Sequence, residues 1–134
     1  MTTVEYMTTR ETSQLAKSIK KIVKLYARGG FTVNLCLMDM EFEKIKDLVG
    51  FLEVNTTAAR EHVGDVERQI RLIKEITRCV TTDLPFDPIP KMVLIHMVYS
   101  VCFWLNAFPI NSGTAGGMFP CEIVMGRKID YKKD

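Results

Sequence analysis

Apolar residues return at helical spacing in two stretches of this chain and fill a third almost completely, with short unbroken or alternating apolar runs between them. Leu15, Ile19, Ile22, Val23 and Tyr26 share one face of a run that Thr12 and Ser13 can cap and that Gly29 and Gly30 end, which predicts a first helix. Lys17, Lys20, Lys21, Lys24 and Arg28 fall on its opposite face, with no acid among them. Val66, Ile70, Ile73 and Ile76 form a second stripe, predicting a long helix that starts at Glu61 or His62 and runs to Val80. Residues 91–108 are apolar almost all round and are closed by Pro109, predicting a third helix. Strands are predicted over 2–9 (β-branched and aromatic), 31–38 (FTVNLCLM) and 51–56 (FLEVNT), and a short helix over 41–48. Residues 81–90 read as a proline-rich connection and 110–134 as a loop-rich tail with a basic end over 127–133.

The predicted order of strand, helix, strand, short helix, strand, helix, helix favours an α/β arrangement in which crossovers deliver parallel neighbours. In such sheets ligands gather at the carboxyl ends of strands, and Asp39 stands at the end of the 31–38 run. A length of 134 residues favours a single domain with one core. The 47% hydrophobic and 25% charged composition excludes disorder and low-complexity architectures. A net charge of +2 announces no partner by itself, so position matters more than total. Cys36, Cys79, Cys102 and Cys121 lie far apart, with no C-x-x-C pair and no leader before them, which predicts buried, reduced intracellular thiols and argues against a metal knuckle.

Glu67, Arg71, Lys74 and Arg78 are spaced i, i+4, i+7 and i+11, so they project from one helix face, flanked by Arg68 and Glu75. The row is either a solvated face with i, i+4 support or a hard-metal carboxylate set among phosphate-gripping cations. Asp39 is either a cap for the following short helix or a partner of Glu67 in holding Mg²⁺, with Glu41 and Glu43 close by in sequence. The five bases of the first helix suit either phosphate contact or plain solvation. His62 either faces a substrate or caps the long helix, and His96, in an apolar helix, is expected in the core. Residues 92–108 are marginal in length for a membrane span and are interrupted by His96, Ser100 and Asn106, which leaves a core or subunit contact as the better reading.

The blocks RGGFTVNLCLMDMEFEKI, EHVGDVERQIRLIKEITR, LPFDPIPK, VCFWLNAFPINSG and PCEIVMGRKIDYKK occur in the order found in one family. From about Arg10 to its end the chain resembles the copia-type retrotransposon integrase catalytic core, of the RNase H-like superfamily. The resemblance implies DNA strand transfer by an acidic triad holding two divalent ions, Mg²⁺ or Mn²⁺. It assigns Asp39 to the second aspartate and Glu67 to the glutamate on the long helix. Arg71 and Lys74 match positions from which such integrases contact DNA, and Arg68, Arg78, Lys17, Lys20, Lys21 and Lys24 complete the expected nucleic-acid-binding set. The 91–108 helix becomes a core and homodimer element rather than a membrane span.

Departures shape the expectation. The resemblance places the first aspartate on a strand well before Thr2, no aspartate precedes the first helix, where the acids are Glu5 and Glu11, and the expected D-G-E-F reads Asp39-Met40-Glu41-Phe42. Twenty-seven residues separate Asp39 from Glu67, fewer than in the retroviral branch, and no H-H-C-C zinc module is present. The chain is therefore expected to be one partial integrase core over 1–134: α/β and RNase H-like, with a short mixed sheet, flanking helices and a long apolar carboxyl-terminal helix. It is expected to be inactive alone for want of one triad carboxylate, to bind DNA, and to be intracellular, in the nucleus of a eukaryotic host. The alternative is a non-catalytic nucleic-acid-binding or protein-interaction module.

Overall fold

The computed structural model describes residues 1–56, 64–108, 117–126, 130 and 132, and for Met40, Glu41 and Asp65 the backbone alone. Among them the fold is mixed α/β and mostly helical: α1 (Thr12–Arg28), β1 (Leu35–Met38), a 3-10 helix (Met40–Val49), β2 (Glu53–Thr56), α2 (Gly64–Thr82), α3 (Lys91–Ala107) and α4 (Pro120–Met125). The chain divides into two compact units, Glu5–Glu67 on one side and Met1–Val4 with Arg68–Asp134 on the other.

In the unit Glu5–Glu67, α1 presents its apolar stripe to the 3-10 helix. Ala16, Ile45 and Val49 are buried together, and Leu15, Ile19, Phe42 and Val54 pack around them. Gly30, at φ +82°, completes the turn after α1, where its amide donates to the Ala27 carbonyl at 3.0 Å. A side chain with a Cβ would be strained in that left-handed conformation. Phe31 then packs edge-on to Tyr26, their ring centres 6.4 Å apart.

β1 and β2 pair in parallel with Leu35 opposite Glu53 and Met38 opposite Thr56. The parallel pairing of consecutive strands follows from a crossover between them, here the 3-10 helix. Two predicted strands are shorter than their apolar runs, and among the described residues the sheet is a parallel pair rather than the mixed set expected. Both strands alternate exposed with half-buried residues, because one face is covered and the other is not.

The strand predicted over 2–9 does not form. Side chains take the place of a partner strand. Glu5 pairs with Lys21, Thr8 and Thr9 bond to Gln14, and, in the other unit, Asn106 brackets Thr2. There Thr2 N–H donates to Asn106 Oδ1 at 2.8 Å and Asn106 Nδ2 donates to the Thr2 carbonyl at 2.6 Å. Such local bonds compete directly with a ladder.

In the unit containing Arg68–Asp134, the buried set is Val101, Cys102 and Ala107 of α3 with Cys121 and Val124 of α4, which packs on α3, and Thr77 of α2. The Thr77 hydroxyl is buried with no hydrogen-bond partner among the described residues. The predicted tail therefore contains a helix, begun by Pro120 in its first turn and ended by Gly126 at φ +67°. The carboxyl-terminal helix among the described residues is this short one, and α3 before it runs for 17 residues. No helix among the described residues is long and apolar enough to cross a membrane. Trp104 stacks on Phe108 at 5.7 Å between centres and meets Phe103 edge-on at 5.4 Å.

Candidate nucleic-acid interface

Helical periodicity and one hydrophobic contact decide where the cations of α1 go. Once Leu15, Ala16 and Ile19 turn toward the 3-10 helix, Lys17, Lys20, Lys21, Lys24 and Arg28 face solvent, and all five are exposed. Lys21 carries the ion pair with Glu5. Lys17, Lys20, Lys24 and Arg28 make no ion pair among the described residues.

On α2 the row Glu67, Arg71, Lys74 and Arg78 is exposed throughout, as are Arg68 and Glu75 beside it. Thr77 is buried and Ile73 and Ile76 are half-buried on the other side of the helix, which places the charged row outward. Val66 and Ile70 of the predicted apolar stripe are exposed, as is Val80 near the helix end, so the stripe is covered over part of its length.

Asp39 lies at the carboxyl end of β1, exposed, and leads into the 3-10 helix with φ −68° and ψ 155°. Its side chain makes no capping hydrogen bond, although its carbonyl accepts from the Phe42 amide at 3.0 Å. The capping alternative is therefore not realised by the carboxylate. Glu43 is 3.6 Å from Lys46 and exposed. No three His, Cys, Asp or Glu side chains among the described residues are gathered to hold a metal ion. The donor set described does not fit a complete Mg²⁺ or Mn²⁺ site.

His96, expected in the core, is exposed. Met92, Leu94, Tyr99 and Phe103 are exposed with it, and the buried residues of α3 are Val101, Cys102 and Ala107. His62 lies outside the described residues. Of the cysteines, Cys102 and Cys121 are buried, Cys36 is half-buried and Cys79 is exposed, against the expectation for all four. Cys79 follows Arg78 on the uncovered side of α2, where one apolar neighbour in sequence does not bring burial. Desolvation pushes the Cys36 and Cys102 thiols above their ordinary range.

A cleft of about 470 Å³ is apolar, bounded by Ile76, Val80, Val101, Trp104 and Phe108 with Ser100 beside them. Among the described residues it contains no titratable group and none of the predicted site residues. A smaller cleft of about 330 Å³ lies on α1 and includes Lys17 and Lys21 together with Glu5. Glu5 is the participant that sequence reasoning missed: it is sixteen residues from Lys21, and no helical spacing relates them. Comparison with protein-family models, with curated proteins and with solved structures finds no match to this chain.

Proposed function

We propose that the chain is a piece of an integrase-type core of the copia retrotransposon kind, RNase H-like in ancestry, and that its described residues hold DNA rather than join it. The observation that carries the DNA-holding role is the α1 face, five exposed cations in a helix that contains no acid. From Lys17 to Arg28 the face extends about 16 Å at 1.5 Å per residue, a length along which roughly five phosphates of one strand are laid out. The cations Arg68, Arg71, Lys74 and Arg78 of α2 supply a second exposed set, following Glu67 as the resemblance expects. Asp39 at a strand's carboxyl end supports the integrase ancestry without supplying an ion site. In a eukaryotic host such a role belongs in the nucleus.

Labelled duplex DNA titrated by fluorescence anisotropy over a range of salt tests this. Each phosphate contact contributes a slope of about −0.9 in the logarithm of affinity against the logarithm of salt. Replacing Lys17, Lys20 and Lys24 together by Gln is expected to flatten the slope by roughly 2.7. An unchanged slope removes α1 from the interface.

A second reading, a protein-interaction module, is favoured by α3, where Met92, Phe103, Trp104 and Phe108 remain exposed. Sedimentation velocity over a concentration series separates it: a monomer throughout counts against self-association through α3.

A further inference from the structure

Residues 5–9 run along one flank of α1, and Gln14 ties them down. Its Oε1 accepts from the Thr9 amide at 3.4 Å and from the Thr9 hydroxyl at 3.3 Å, and its Nε2 donates to Thr8 Oγ1 at 3.3 Å. One end of this strap carries Glu5, whose carboxylate meets Lys21 Nζ at 2.5 Å. Lys17, Ser18 and Lys21 of the helix and Glu5 and Thr8 of the strap bound the open cleft of about 330 Å³ between them. Positions 14, 17, 18 and 21 are neighbours on a helix surface, so the cleft follows the edge of the cation face.

Lys21 thus belongs to two surfaces at once, the row of α1 cations and the cleft. Any phosphate laid on that part of the row meets a carboxylate already seated there. We propose that the cleft is a phosphodiester subsite and that Glu5 is its built-in competitor. Lys17 and Lys21 supply the charge, the Ser18 and Thr8 hydroxyls supply further donors, and the Glu5 carboxylate occupies Lys21 until a phosphate of the nucleic acid replaces it. This rests on the DNA-holding role of α1.

The magnitudes suit an exchange rather than a lock. The Lys21 side chain stays 70% exposed and that of Glu5 28%. An ion pair so open to water shifts an equilibrium by roughly two- to five-fold at most. A row of phosphate contacts acts collectively and outweighs it. The strap attenuates binding.

The test uses the full chain and a fluorescein-labelled DNA duplex at low, fixed salt, comparing Glu5→Gln, Lys21→Gln, their double variant, and Glu53→Gln on β2 as a control of equal charge. Glu5→Gln is expected to tighten binding roughly two- to five-fold. Glu53→Gln is expected to tighten it less, and the gain from Glu5→Gln is expected to vanish when Lys21 is already Gln. A gain no larger than that of the control, or one that persists without Lys21, overturns the competitor. Should the combined Lys17, Lys20 and Lys24 replacement weaken binding while Glu5→Gln changes nothing, the role of α1 stands and the competitor falls. Should neither the natural chain nor Glu5→Gln bind the duplex, both fall together.

Discussion

The thiols of Cys36 and Cys102 keep their protons beyond the ordinary value of 9.0, because burial penalises the thiolate. The consequence for stability has a definite sign. Above that value the unfolded chain releases protons that the folded chain retains, so stability is fully present below it and declines as pH rises toward the raised values. Urea midpoints are expected to fall as pH rises above about 9, and to fall less steeply when Cys36 and Cys102 are both replaced by Ala. Equal slopes in the two proteins would assign the alkaline loss to other groups. Cys79, exposed on α2, is expected to be the first thiol to react with an aqueous reagent at neutral pH.

Ile45 and Val49 are the most deeply buried large side chains, and both belong to a ten-residue 3-10 helix. Runs of this geometry are normally short, so packing against α1 rather than intrinsic preference sustains it. Ile45→Ala is expected to cost about 2–4 kcal/mol. That is a large share of the roughly 3–9 kcal/mol that a unit of some 60 residues holds. Loss of most α1 and 3-10 ellipticity at a lower urea concentration is the expected observation, and a midpoint unmoved by the substitution would show that this contact does not hold the unit. At this scale the sequence was legible where a period of 3.6 ran for several turns, as in α1 and α2, and where an apolar run reached helix length before a proline, as in α3. It was misleading over 2–9, where strand-forming residues lost to side-chain bonds with Gln14 and Lys21. The missed helix α4 had left a mark: Pro120 and Gly126 are the residues that begin and end a short helix, and the surrounding glycines obscured it.

Across the whole molecule, 18 basic and 16 acidic residues nearly cancel, yet α1 holds five of the bases and no acid. Affinity for DNA should therefore follow where charge is removed and not how much. A variant with Lys44, Lys91 and Lys132 replaced by Gln loses as much charge as the Lys17, Lys20 and Lys24 variant, and is expected to retain most of the natural salt slope. Equal losses in the two would mean that attraction is diffuse. The cation faces could be read from sequence because a helix places its polar stripe once its apolar stripe is known. The Glu5 contact could not, since it depends on the path of a segment with no period of its own. The exposure of His96 could not either, because a helix apolar almost all round does not show which of its residues find neighbours.

The aromatic ladder of α3 has an optical consequence. Trp104 is the chain's only tryptophan, and its indole lies against Phe103 and Phe108 while half its surface meets water. Its emission reads the packing of that helix, whereas far-ultraviolet ellipticity sums over every helical backbone in the chain. The two spectra divide the molecule between them without an added label, and a melt recorded in both separates loss of α3 packing from loss of helix elsewhere.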